Sequence, residues 1–196
     1  MPTQFETTLS EASQRILDAS IVVVSNMSQS QHIENETLWE IQTEVVWTLL
    51  GSLMRGIYSG EGGGPDARNA IQDELVPILV NDMLDSGFDW PPNSEDLRAV
   101  QYQSLLQWFD QTESDNANTI RYMSPQTAFF QMMLDGSIPE DSLVGRLCRR
   151  VARATDEMGN SELIQSLFLQ AAESHMKADI YGLTEALIEA EKTRQA

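Results

Sequence analysis

The stretch ETLWEIQTEVVWTLLGSLMRGIY, residues 36–58, constrains the fold more than any other part of the chain. Leu38, Ile41, Val45, Leu49 and Leu53 recur at three- and four-residue steps. Trp39, Val46, Leu50, Met54 and Ile57 repeat the pattern one step round the helix. Two adjacent apolar stripes cover more than one face, and a helix of that kind sits in the middle of a bundle. Gly51 and Gly56 let a neighbouring backbone come close, at some loss of helix propensity.

The rest of the chain repeats the helical period. Leu9, Ala12, Ile16, Ala19 and Val23 mark a first helix, with Thr8 and Glu11 as a T-x-x-E capping box. SNMSQSQHIEN, 25–35, reads as a connection, and Asn35 as the cap of the second helix. GEGGGPD, 60–66, is the clearest break, after which Pro65 or Asp66 opens a third helix. Ile71, Leu75, Leu79 and Met83 form its stripe. Pro77 lies inside and should kink or split it, and Gly87 is a stop signal. Ser94 caps a fourth helix carrying Leu97, Val100, Leu105, Trp108 and Phe109, and TESDNANT, 112–119, follows as a loop. A short fifth helix, AFFQMML, is expected after Ser124-Pro125, and a sixth starts at Ile138-Pro139. The last runs from Ser161 through Leu163, Leu167, Ala171, Ile180, Leu183 and Leu187, with Gly182 as an interruption. No segment alternates apolar and polar residues as a half-buried strand would. The expected architecture is therefore all-α: one domain over 1–196, a bundle of about seven helices around a buried central helix at 36–58. Flexible connections are expected near 25–35, 60–66 and 112–119.

Charge bounds the function. Thirty acidic residues against twelve basic ones give a net charge of −18, with ten arginines and only Lys177 and Lys192 as lysines. A field of that sign repels nucleic acid and anionic membranes and attracts basic partners. The longest apolar run is Ile21–Val24, far short of a membrane span. The N-terminal residues lack the basic and apolar regions of a secretory signal, and the single Cys148 excludes an internal disulfide. The cytoplasm is the expected location.

Against that acidity, GRLCRRVARAT, 145–155, gathers Arg146, Arg149, Arg150 and Arg153 on one side of a helix. Leu143, Val144, Leu147, Cys148, Val151 and Ala154 take the other side. Arginine forks onto carboxylates and phosphates, so the ridge is a candidate contact for an acidic partner or a second copy of the chain. It would otherwise pair with acids of its own chain. Cys148 falls on the apolar side and reads as an inert core thiol. Phe129, Phe130, Met132, Met133 and Leu134 crowd the fifth helix, as core or as an interface.

The enzyme alternative rests on carboxylates. Glu36, Glu40 and Glu44 share one face of the second helix, and Asp82 and Asp85 lie on the third. Glu40, Glu44, Asp82 and Asp85 could hold Mg²⁺ between the two helices. Helical nucleotide pyrophosphohydrolases pair E-x-x-E with E-x-x-D motifs in this way; the ExxxE and DxxD spacings here depart from that pattern. GEGGGPD lacks the Gly-Lys-Ser/Thr ending and preceding strand of a phosphate loop. His32 and His175 are the only histidines, and neither has a metal-ligand spacing.

These features favour a non-enzymatic, acidic helical protein that binds or regulates through protein contacts. Its negative surface would fit a basic, nucleic-acid-binding surface of its partner as a mimic does, with the arginine helix as a site of self-association. No cofactor, membrane contact or direct nucleic-acid binding is expected. The alternative is a small Mg²⁺-dependent all-α phosphohydrolase.

Overall fold

The computed structural model describes residues 2–30, 35–86, 95–117, 131, 134, 142–154 and 161–195. These residues are mostly helical, and no strand occurs among them. The helices are α1 (Gln4–Ser30), α2 (Asn35–Ser59), α3 (Pro65–Asp85), α4 (Glu95–Ala117), α5 (Leu143–Ala154), α6 (Ser161–Lys177) and α7 (Ile180–Gln195). Of the expected fifth helix only Gln131 and Leu134 are described. Both are helical, and Leu134 is exposed.

Helix α2 packs against α1, α3, α4, α5 and α7, and α1 against α2, α3, α6 and α7. Both stripes of α2 are buried apart from Trp39, which is half-buried against the core. On α1, Phe5, Leu9, Ala12, Ile16, Ala19, Val23 and Val24 are buried. Each fully buried Leu or Ile contributes roughly 1.5–3 kcal/mol. This packing, more than helix propensity, holds the long helices.

Several boundaries differ from the sequence reading. The capping box is Thr3–Glu6, not Thr8–Glu11. The Thr3 amide donates to Glu6 Oε2 at 2.7 Å, and the Glu6 amide donates to Thr3 Oγ1 at 3.2 Å. The Thr3 amide, and less so the Thr3 hydroxyl that donates to the same Oε2 at 3.0 Å, hold the Glu6 carboxyl below the usual carboxylate range. Thr8 Oγ1 instead donates to the Gln4 carbonyl at 2.9 Å. Both T-x-x-E spacings fit the motif, and the earlier one brings Phe5 into the buried stripe. The expected connection at 25–35 narrows, because α1 continues to Ser30 with Met27 buried. The loop expected from 112 is helical through Ala117, and Val100, assigned to the stripe of α4, is exposed.

Pro77 does not split α3, which is one helix from Pro65 to Asp85. Pro65 is its first residue, behind Gly64 at φ 123°. Ser86 closes it, its amide bonding the Asp82 carbonyl at 2.9 Å; Gly87 lies outside the described residues. The start signal at Ile138-Pro139 also lies outside them. Helix α5 begins after Ser142, whose Oγ accepts the Gly145 amide at 2.9 Å as an N-cap. The break near the C-terminus falls at Ala178–Asp179, not at Gly182. Asp179 turns to φ 51°, and its Oδ1 accepts the Gly182 amide at 3.2 Å, capping α7. A Cβ on Gly182 would lie 2.3 Å from the capping carboxylate, so glycine there accommodates the cap.

GEGGGPD is a hydrogen-bonded turn folded onto the end of α2. The Gly60 amide bonds Gly56 O at 2.8 Å, Gly63 bonds Gly60 O at 3.0 Å, and Gly64 bonds Ile57 O at 3.2 Å. A Cβ on Gly63 would lie 1.8 Å from Ile57 O. Only glycine lets the chain pass there.

Candidate functional site

The arginine helix and the second helix meet around one carboxylate. Glu44 is buried on α2. Arg150 Nη1 on α5 donates to its Oε1 at 3.1 Å and its Oε2 at 3.0 Å, and to Thr112 Oγ1 on α4 at 2.9 Å. Trp108 Nε1, also on α4, donates to Glu44 Oε1 at 2.8 Å. The Trp108 ring meets Trp39 edge-on at 6.0 Å. One acid thus joins three helices, its charge matched by a half-buried guanidinium and an indole N–H.

This placement divides the arginine ridge. Leu143, Leu147, Cys148, Val151 and Ala152 are buried, as an amphipathic helix requires. Burial pushes the Cys148 thiol up to about 12, leaving it unionised at neutral pH. Arg150 turns inward to Glu44. Arg146 and Arg149 are half-buried. Arg153 lies on α5 one helical turn beyond Arg149 and Arg150, and its side chain is outside the described residues. Val144 and Ala154 likewise lie on α5 without described side chains.

Three of the four carboxylates proposed for Mg²⁺ have separate partners. Glu44 is held by Arg150 and Trp108. Asp82 Oδ2 accepts from Ser13 Oγ on α1 at 2.6 Å, and Asp85 pairs with Arg98 on α4 at 2.6 Å. Glu40 is half-buried on α2. Among the described residues, no three Asp, Glu, His or Cys side chains gather as a metal site would need. Glu36 lies in the first turn of α2 with no described side chain, and His32, Phe129, Phe130, Met132 and Met133 lie outside the described residues.

Two cavities went unread in the sequence. A cleft of about 620 Å³ opens between α2, α3 and α4, floored by Trp47 and Phe109, whose rings lie 5.2 Å apart. Its rim is internally matched: Arg68 pairs with Glu113, and Gln72 Nε2 donates to Glu113 at 3.1 Å. Burial lowers the Arg68 guanidinium, opposed by Asp73. The second, of about 650 Å³, lies between the end of α2, the glycine turn and α7, and His175 of α6 faces it. His175 is 3% exposed, and neither ring nitrogen has a hydrogen-bond partner among the described residues. Desolvation lowers it from 6.5 to about 4, so the ring is neutral at neutral pH. The only sequence signal was its rarity: in an amphipathic helix a histidine on the buried face looks like any core residue.

Comparison with protein-family models, curated proteins and solved structures finds no match to this chain. The functional reading therefore rests on the geometry alone.

Proposed function

We propose that this chain is a non-enzymatic binding or regulatory protein that acts through protein contacts. It works as one domain organised around the helix at 36–58. What carries the reading is that exposed acids outnumber exposed cations, which among the described residues are Lys177, Lys192 and Arg194. Glu11, Asp18, Asp66, Asp73, Glu74, Asp110, Glu185 and Glu189 are exposed. Arg15, Arg55, Arg68, Arg98, Arg146, Arg149 and Arg150 are all half-buried. Several of these arginines engage acids of the chain itself, including Glu11, Glu113, Asp85 and Glu44. Each pair cancels one charge of each sign, and the surface left facing outward is predominantly negative. Such a surface is complementary to a basic one and gains association rate and specificity from long-range attraction. The partner is a basic protein surface, of the kind that otherwise holds nucleic acid, and the working location is the cytoplasm. Arg146 and Arg149, with Arg153 on the same helix, supply a second contact for an acidic neighbour or another copy of the chain.

The phosphohydrolase reading is weaker because Glu44, Asp82 and Asp85 are individually engaged. No helix among the described residues is long and apolar enough to cross a membrane.

Cross-linking in the source cell followed by mass spectrometry tests the proposal. A basic partner is expected, held by a complex that weakens steeply as salt is raised. Charge reversal of Asp73 and Glu74 on α3, or of Glu185 and Glu189 on α7, should weaken it. A complex indifferent to salt and to both reversals contradicts the proposal. Arg146→Glu with Arg149→Glu should shift the sedimentation coefficient if the arginine helix joins two copies.

A further inference from the structure

The two clefts carry rims of opposite charge. Arg55 and Arg68 line the cleft between α2, α3 and α4 against one acid, Glu113. The groove between the end of α2, the glycine turn and α7 is lined by Glu61, Glu185 and Glu189 against one cation, Lys192. These last four side chains are all exposed. Ser52 and His175 border the same space but are closed off, at 0% and 3% exposure, so the exposed side chains decide what the groove can hold.

The groove has a length and a direction. The end of α2 and the glycine turn run beside α7 in the same sense. A Cβ on Gly56 would lie 2.6 Å from Thr184 Oγ1, one on Gly60 would lie 2.9 Å from Ile188 Cδ1, and one on Gly62 would meet Lys192 Nζ. Gly56, Gly60, Ile180 and Ile188 make its walls partly apolar. Tyr181, Glu185 and Glu189 stand four residues apart on α7, so they follow one another at about 6 Å per step. Tyr181 is 56% exposed and meets the His175 ring edge-on at 6.0 Å, which braces it as a wall at one end. A ring followed by two carboxylates suits a row of cations. The ring attracts a guanidinium or ammonium over its face, and each carboxylate accepts forked N–H donors.

We propose that this groove is where the basic partner docks, an arginine- or lysine-rich segment of another protein lying along α7 with its cations on Tyr181, Glu185 and Glu189. The inference rests on the protein-contact reading above and assigns its basic partner to one surface. Alternate side chains of an extended segment lie about 6.6–6.8 Å apart, close to the step between Tyr181, Glu185 and Glu189. The carboxylates also draw such a segment in from a distance. The cleft rimmed by Arg55 and Arg68 has the wrong sign for it.

The test is calorimetric titration of the full chain with the peptide acetyl-RARARAR-amide, beside the same peptide carrying citrulline for arginine. The arginine peptide should bind, and the citrulline peptide should not bind below about 1 mM. Glu185→Gln with Glu189→Gln should weaken binding by roughly tenfold, and Tyr181→Ala by roughly threefold. Lys192→Gln removes the opposing charge and should strengthen binding by roughly twofold. Asp18→Asn with Asp110→Asn takes the same two charges from α1 and α4, outside the groove, and should change binding by less than about twofold. All of these side chains are exposed, so the variants keep the fold, which melting curves check. The groove is overturned, with the protein-contact reading left in place, by any of three results. The α1 and α4 pair weakens binding as much as the α7 pair, the citrulline peptide binds equally, or the α7 pair and Tyr181→Ala leave binding unchanged. No binding of the arginine peptide at about 1 mM also overturns it. The protein-contact reading falls separately, if cross-linking yields no basic partner.

Discussion

Glu44 and Arg150 lie 106 positions apart and meet as an ion pair in which one guanidinium nitrogen contacts both carboxylate oxygens. The contact turns one member of the arginine ridge inward and removes one carboxylate from the metal-binding alternative. It also ties α5 to α2 at the point where Trp108 and Thr112 of α4 arrive.

The pair is largely shielded from water, so breaking it from one side leaves an unmatched charge. Arg150→Ala should destabilise the fold by about 3 kcal/mol in denaturant titration. Arg98→Ala, which breaks the exposed pair with Asp85, should cost under about 1 kcal/mol. Equal effects would mean that the Glu44 site is as well solvated as the surface.

His175 predicts a pH dependence. Its folded-state value of about 4 lies below the ordinary 6.5, so between those values the unfolded chain binds the proton more tightly. Its contribution is therefore fully present above about pH 6.5 and is lost as pH falls toward 4, reaching roughly 3 kcal/mol. Glu61, Glu185, Glu189, Tyr181 and Lys192 line the same cavity and face the imidazole's surroundings in every variant. The measurement is thus the difference between wild type and His175→Leu at each pH. The gap should widen in favour of the variant as pH falls from 7 to 4. A constant gap would show that the imidazole is solvated.

Cys148 should resist iodoacetamide in the folded protein at neutral pH and react only on unfolding, since it is both buried and unionised. Rapid labelling without loss of structure would place α5 differently.

Gly63→Ala should be strongly destabilising, by more than about 2 kcal/mol, because the added methyl meets main chain at Ile57 instead of a side chain that can move. Thermal melting against wild type reads it. A near-neutral result would show that the turn opens freely.

What could be read from sequence follows physical scale. The stripes of α2 repeat for six turns, and a long repeated signal survives local error, so the all-α class and the buried face of α5 were legible. Helix ends rest on one or two residues. Thr3–Glu6 and Thr8–Glu11 are equivalent as motifs, and only the packing of Phe5 distinguishes them. Asp179 and Gly182 both signal a break, and the carboxylate of the first acts through the amide of the second. The Glu44 network was out of reach because it joins α2, α4 and α5 through contacts that no local pattern encodes. The same holds for Ser52 and His175, which are 123 positions apart and share a cavity only after α6 and α7 fold back onto α2.

The central claim is that this protein works by charge and shape presented outward and not by carboxylates gathered around a metal. Thermal melting with increasing Mg²⁺, at ionic strength held constant with NaCl, tests it most directly. The predicted result is a melting temperature that does not respond to Mg²⁺, in wild type and in Asp82→Asn alike. A saturable rise in wild type that Asp82→Asn or Glu44→Gln abolishes would contradict the account and restore the hydrolase.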